Sequence, residues 1–212
     1  MEELVGGDWL DRGDDGLLRC FWSGTPTLYQ DYHDQEWGRP VTDDQRLFEK
    51  LCLEGFQSGL SWLTILRKRD NFRVAFDNFD FHQIAKYSQQ DVERLVADAG
   101  IVRHRGKIES TINNAKRAGE LVAGGQTLRE LIWRYRPQPK SRPTAVTKAW
   151  LATSATSPES VAMSKELKSL GWRFVGPTTM YALMQAMGLV NDHQSQCHVR
   201  KEVEREQRDA AR

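Results

Sequence analysis

Apolar residues along this chain recur at three- and four-residue steps, the period of helices that bury one face. Leu47, Phe48, Leu51 and Cys52 predict a helix that starts near residue 43, capped by Thr42 or Asp43, and ends near Gly55. A second helical stretch follows through Leu60, Leu63, Ile65 and Leu66. Val92, Leu95, Val96 and Ala99 precede Gly100, Ile108, Ile112 and Ala115 follow Gly106, and Leu128, Leu131 and Ile132 precede Pro137, so each predicted helix has its Gly or Pro punctuation. Ser157 and Pro158 supply an N-cap and a first helical position, and Pro177 and Gly188 bracket Met180, Leu183, Met184 and Met187. No segment alternates convincingly enough to predict a strand. The expected fold class is all-α, with eight or more helices around one or two contiguous lobes.

Two stretches stand outside this pattern. The opening through Gly16 is acidic and aperiodic, and reads as a mobile extension. Residues 134–148 hold Arg134, Arg136, Lys140, Arg142 and Lys148 with three prolines and no acid, a basic loop too short for a domain linker. The tail from Arg200 mixes five basic with four acidic residues, compatible with a helix or with disorder.

Composition narrows the class. A chain of 212 residues, 39% hydrophobic and 28% charged, has material for one substantial core or at most two small ones. The net charge of +1 argues for no particular partner, but residues 1–16 carry −5 and leave +6 on the remainder, so the body is mildly basic. No window approaches the roughly 20 apolar residues of a membrane helix, and Met1 is followed by Glu2 and Glu3 rather than by a targeting pattern. A cytoplasmic protein with no membrane contact is expected. Three scattered cysteines, Cys20, Cys52 and Cys197, do not make a disulfide framework, which leaves reduced thiols or metal ligands.

Cys20, His33, His193 and Cys197 form a first candidate constellation. His193 and Cys197 are four apart, on one helical face or in one tight turn, and twelve residues lie between Cys20 and His33. Cys with His is a pairing zinc favours, and four protein ligands leave no open position, so a site of this kind is structural and would fasten the two ends of the chain together. On spacing alone, core histidines and inert buried thiols are the commoner outcome. Cys52, between Leu51 and Leu53, reads as core, and His198 is a lesser rival to Cys197.

Glu54 steps with Leu47, Leu51 and Ser58 at the edge of an apolar stripe. A carboxylate there is costly unless paired. Either it bonds a backbone donor or an arginine, or it is a partly buried anion kept for a cationic or hydrogen-donating ligand. Tyr29, Tyr32, Trp37 and Trp62 lie close by in sequence; such rings build cores, or stack on a nucleobase and attract positive charge. In residues 95–108, two helices joined by a turn bounded by Gly100 and Gly106 would present N–H groups to a phosphate, with Arg103, Arg105 and Lys107 adding charge. A solvated helical hairpin is the alternative.

With these residues assembled, the sequence resembles the type I 3-methyladenine DNA glycosylases of the helix-hairpin-helix DNA glycosylase superfamily. The resemblance rests on Tyr-His-Asp-Gln-Glu-Trp-Gly (32–38), Leu-Glu-Gly-Phe-Gln-Ser-Gly-Leu-Ser-Trp (53–62), Asp-Ala-Gly-Ile-Val-Arg-His-Arg-Gly-Lys-Ile (98–108), Phe-Val-Gly-Pro-Thr (174–178) and Gly-Leu-Val-Asn-Asp-His (188–193). These motifs occur in the family's order and extend over about residues 20–197. The resemblance implies a helix-hairpin-helix glycosylase-like fold with one structural zinc per chain, held by Cys20, His33, His193 and Cys197. It implies that Glu54 is the catalytic carboxylate and contacts the excised base in a pocket lined by Tyr29, Tyr32, Trp37 and Trp62. It also implies that Gly100, Arg103, Arg105, Gly106 and Lys107 belong to the hairpin that grips the DNA backbone. Many superfamily members carry a catalytic Asp where this chain has Asn191, next to Asp192 and His193. The domain limits then fall at 1–19 for the acidic extension, 20–199 for the glycosylase domain and 200–212 for the charged tail.

The expected function is hydrolysis of the N-glycosidic bond of 3-methyladenine in alkylated double-stranded DNA, by a monomer that releases the free base. Two other classes fit the residues: a non-catalytic DNA-damage binder using the hairpin and the basic loop, and a structural zinc protein with a protein partner. The first would release no base, and the second would show no salt-dependent affinity for DNA.

Overall fold

The computed structural model describes residues 9–210. It opens with a hairpin in which β1 (Leu10–Arg12) pairs antiparallel with β2 (Leu18–Cys20), Leu10 opposite Cys20. The hairpin falls largely within residues 1–19, expected to be a mobile acidic extension, and is a strand pair where none was predicted. Arg19 is buried and reaches Asp15 at 2.7 Å and Asp34 at 2.8 Å, so the first pair closes the hairpin turn and the second ties the hairpin to α1 (Thr27–Gln35). The earlier part of the expected extension, residues 1–8, lies outside the described residues.

Helices follow through the rest of the chain. They are α1 (Thr27–Gln35), α2 (Asp44–Gln57), α3 (Trp62–Ala75), α4 (Phe81–Ile84), α5 (Gln89–Ala97) and α6 (Arg105–Ala123), then α7 (Leu128–Trp133), α8 (Lys148–Thr153), α9 (Pro158–Ser169), α10 (Pro177–Ala186) and α11 (Arg200–Asp209). Side-chain caps set several of the starts, including those predicted ahead of α2 and α9, while α1, α10 and α11 have none. Asp43 accepts from the Arg46 N–H at 2.9 Å, and Ser157 accepts from the Ser160 N–H at 3.1 Å ahead of Pro158.

The centre of the fold is α2, which is buried along its whole length from Leu47 to Phe56 and packs against α3, α6, α7 and α10. A helix enclosed on all sides must pair its charges. Glu49 does so with Arg46 and Arg73, each at 2.8 Å. Phe56 meets Phe72 and Phe76, and Phe76 continues to Phe79, an aromatic run that anchors α3 to α2.

The C-terminal segment closes back on the N-terminal one. Gly188 follows α10 with φ of +78°, and a Cβ there would lie 2.6 Å from the backbone of Arg39 and Pro40. Both the left-handed conformation and the close approach call for glycine. Gly188→Ala is expected to cost about 2–4 kcal/mol, measured by urea unfolding, with a lower midpoint and an unchanged slope.

The boundary drawn at residue 199 does not divide the fold. Val203 on α11 is fully buried, and Gln207 donates to the carbonyls of Gly38 at 2.7 Å and Val190 at 3.1 Å. The basic loop is likewise spent on the body. Arg134 pairs with Glu166, Arg142 pairs with buried Asp192, and Arg136 donates to the Gln207 carbonyl at 2.8 Å.

Candidate active site

A hollow of about 230 Å³ opens between α1, α2, α3, α8 and α10. Two tyrosines three apart on α1, Tyr29 and Tyr32, share one face of that helix and line it together with Trp37 beyond the helix end. Glu54 and Gln57 reach it from α2, Trp62 from the first turn of α3, and Ala182 and Gln185 from α10. All five residues expected around a base therefore meet in one place. Phe21, Trp22, Gln57, Leu151 and Gln185 line it as well and were not foreseen, because none stands near an interpretable spacing.

The rings are mutually braced. Trp22 lies 5.1 Å from Tyr29 and 4.9 Å from Trp37 between ring centroids, and Tyr32 lies 5.4 Å from Trp62. The Trp62 indole N–H is buried and has no hydrogen-bond partner among the described residues. An unpartnered donor on a pocket wall is costly unless a ligand accepts from it.

Glu54 is buried at the pocket floor, and the partner it has is neither a backbone donor nor an arginine. Its Oε1 lies 3.0 Å from the ammonium of Lys50, one helical turn earlier on α2. Lys50 is buried too, donates to the Tyr32 hydroxyl at 2.7 Å, and sits over the Trp62 ring at 3.2 Å from its centroid. Burial pulls the Lys50 ammonium down to about 8, against the opposing pull of Glu54. Burial also pushes the Tyr32 and Tyr29 hydroxyls up, with the Glu54 charge adding to it, so both remain neutral phenols at physiological pH. The Oε2 atom of Glu54 makes no hydrogen bond to the described residues, which leaves one carboxylate oxygen for a ligand.

Next to this pocket, the four predicted Cys and His residues converge. Cys20 ends β2, His33 is on α1, and His193 and Cys197 lie in the loop between α10 and α11. The ligand atoms of Cys20, His33 and Cys197 are within 4.8 Å of one another, and the His193 ring stands edge-on to His33 at 5.0 Å. All four residues are buried. The His33 Nδ1 is 2.7 Å from Asp34 Oδ1 and the His193 Nδ1 is 2.9 Å from Asn191 Oδ1, pairings that protonate Nδ1 and turn the Nε2 lone pair inward. His193 Nε2 is buried with no partner among the described residues, and the Cys197 thiol is pulled down to about 5 by the neighbouring Cys20 thiol and by His33. An orphaned imidazole nitrogen beside two thiols and a second imidazole fits a tetrahedral N₂S₂ metal ion. His198, the rival ligand, instead bonds Asp34 at 3.1 Å on the outer side.

Asn191 thus braces His193, and its amide donates to the Arg200 carbonyl at 3.1 Å. Asp192 is buried behind the pocket, where it accepts from the Tyr181 hydroxyl at 2.8 Å and from Gln185 at 2.9 Å. The pocket and the Cys/His cluster share their walls. Trp37 packs edge-on against His193 at 4.6 Å, and Trp22 edge-on against His33 at 5.3 Å.

Helices α5 and α6 are joined by a turn that holds Gly100, whereas Gly106, expected to bound that turn, is the second residue of α6. The Gly100 N–H donates to Asp98 Oδ1 at 2.7 Å, while Lys68 Nζ donates to its carbonyl at 3.1 Å. Arg103 is exposed, and Arg105 in the first turn of α6, one residue before Gly106, pairs with Glu93 at 2.7 Å. Lys107 is a correction. Its side chain is buried, and Nζ donates to the carbonyls of Phe56 at 2.8 Å and Ser58 at 2.5 Å. It caps the C-terminal end of α2, where a cation offsets the helix dipole, and has no reach to a phosphate.

Comparison with known proteins matches this arrangement. A family model for methyladenine glycosylase covers residues 22–201. DNA-3-methyladenine glycosylase 1 of Escherichia coli (strain K12) is 46% identical over 181 residues, which is 85% of this chain and 96% of that protein. The DNA-3-methyladenine glycosylase of Haemophilus influenzae is 44% identical over 180 residues, 84% of this chain and 96% of that protein. Among solved structures, a 3-methyladenine DNA glycosylase I aligns with a TM-score of 0.79 at 43% identity, over 85% of this chain and 98% of its own. The Staphylococcus aureus 3-methyladenine DNA glycosylase I, described for its recognition of 3-methyladenine, aligns with a TM-score of 0.75 at 30% identity, over 86% of this chain and 96% of its own. A mostly helical chain with an aromatic pocket over a buried glutamate, matched across this much of its length, belongs to the methyladenine glycosylase family.

Proposed function

We propose that this protein hydrolyses the N-glycosidic bond of 3-methyladenine in alkylated double-stranded DNA, the first step of base excision repair. The observation that carries the reading is the pocket itself: Tyr29, Tyr32, Trp37 and Trp62 around Glu54. A purine methylated at N3 in DNA bears a delocalised positive charge, and electron-rich ring faces and a carboxylate oxygen favour such a base over neutral adenine. To enter, the nucleotide must leave the stack, which a damaged base does at lower cost.

The chemistry asks little of the protein. The C1′–N9 bond breaks with its electron pair moving to the base, which departs neutral, while water adds to the oxocarbenium-like sugar and releases a proton. No strong acid is required, and the tyrosines, held as neutral phenols, supply none. Glu54 Oε2 accepts an N–H from the base, Trp62 and the tyrosines stack on it, and holding it in register converts binding into rate. Asn191, spent on His193, has no part in activating water.

Cys20, His33, His193 and Cys197 would hold one structural zinc, and the group's contribution is a fixed crosslink between β2, α1 and the loop ahead of α11. The α5–α6 turn would meet the DNA backbone as a helix-hairpin-helix, with Gly100 shaping the turn, N–H groups near Gly106 at the start of α6, and Arg103, which has no ion pair among the described residues. Among the described residues no helix is long and apolar enough to cross a membrane. A monomer working on DNA in the cytoplasm, where thiolates stay reduced, completes the reading.

The test is chromatography of the bases released from methylated duplex DNA. A peak of free 3-methyladenine above the spontaneous rate is expected. Tight, salt-sensitive binding with no released base would replace the reading by that of a non-catalytic damage binder.

A further inference from the structure

The wall between pocket and interior has a cation behind it. Trp62 and Tyr32 are shared by two hollows: the base pocket with Glu54, and a small inner hollow of about 20 Å³ lined by Lys50. The Lys50 ammonium lies on the inner side of the Trp62 ring, 3.2 Å from its centroid, and holds Glu54 Oε1 at 3.0 Å. A base stacked in the pocket would therefore share both its main electrostatic partners, one indole and one carboxylate, with a cation already in place.

We propose that Lys50 is a specificity-determining residue of the pocket, whose ammonium weakens the hold on a positively charged base and ceases to oppose the base once it has become neutral. This inference rests on the glycosylase reading. Two cations sharing one carboxylate compete for it, so with Lys50 charged the pair contributes no net charge and with Lys50 neutral it contributes −1. In the ground state the C1′–N9 bond is intact and the base is cationic, so Lys50 repels it. As the bond breaks, the electron pair flows to the base and cancels its charge, and the repulsion falls. Lys50 thus acts through Glu54 and Trp62, loosening the substrate complex more than the state in which the base departs, which raises the maximal rate while raising half-saturation.

The other charges around Lys50 are mutually paired. Glu36 on the α1 side holds Arg69 of α3 at 2.6 Å, Glu49 of α2 holds Arg46 and Arg73, and α10 contributes only Ala186 and Met187 to this hollow. Loss of the Lys50 proton near pH 8 is then a change of pocket charge with no nearby group set to cancel it.

The experiment is single-turnover excision from methylated duplex DNA with enzyme in excess, read as maximal rate and half-saturating enzyme concentration. Lys50→Met keeps length and flexibility without charge. It is expected to lower both quantities, each by about tenfold, the scale of a charge pair one ring-thickness apart at partial screening. The unaltered protein should show the same fall in both as pH rises through about 8, and Lys50→Met should show none. A half-saturation that stays constant or rises in Lys50→Met overturns the proposal and leaves Lys50 as a prop for Glu54. If that variant does not fold, a flat half-saturation across the same pH range in the unaltered protein overturns it equally. Failure of the unaltered protein to release 3-methyladenine would sink the glycosylase reading instead, so the two failures are distinct.

Discussion

At enzyme concentrations below half-saturation, Glu54→Gln protein is expected to excise 3-methyladenine about a hundred- to a thousandfold more slowly than the unaltered enzyme, with its fold intact. The reasoning starts from the buried carboxylate, of which one oxygen is bound to Lys50 and the other is free. Glutamine keeps an acceptor but removes the charge, and losing one preorganised electrostatic partner from an active site costs about 3–4 kcal/mol, which is two to three decades in rate. The amide oxygen still accepts from Lys50, whose ammonium is already pulled down to about 8 and sheds its proton rather than stay unpaired. Its melting temperature should therefore fall by no more than roughly 5 °C. Glu54→Ala is the poorer variant, because it removes both the charge and the acceptor beside a buried lysine. Near-normal excision by pure, folded Glu54→Gln, measured in the same chromatographic assay, would remove the carboxylate from the mechanism.

The second large effect is on stability. Native protein is expected to carry one equivalent of zinc, and Cys197→Ser to lose it together with roughly 10–20 °C of melting temperature, because binding free energy at such a site is folding free energy. Elemental analysis and a thermal melt check the two halves separately. Cys52→Ser is the internal comparison: that thiol is buried, pushed up by its surroundings, and lies outside the cluster, so its replacement should leave the zinc content unchanged. Native protein without metal would show that the four side chains are packed for their own sake.

The helices with one clean apolar face, such as α6 and α10, were legible from periodicity because burial on one side leaves a 3.6-residue signature. The β1–β2 hairpin was not, since strands of three residues are too short to alternate, and its tie to the body is Arg19 pairing with Asp34 on α1, fifteen residues away. Helix α1 was hidden for a related reason: its buried residues, Tyr32 and His33, are adjacent rather than spaced. At the site, Glu54 was visible as a carboxylate on an apolar edge, but the aromatic wall and the Cys/His cluster drew their force from the resemblance. Lysines were the blind spot. Lys107 beside a glycine turn looked like a phosphate contact and is a buried helix cap, and Lys50 drew no notice because lysine on a helix is usually solvated.

The order in which the chain is synthesised gives the Cys/His cluster one more meaning. Most of the aromatic wall comes from residues 21–37, yet His193, Cys197 and α11, which brace it, follow every other helix in the chain. A partly made chain can therefore grow its helices but cannot set its purine grip. Competence arrives only once the loop ahead of α11 has been made, so a product that stops at α10 is left without the braces of its pocket.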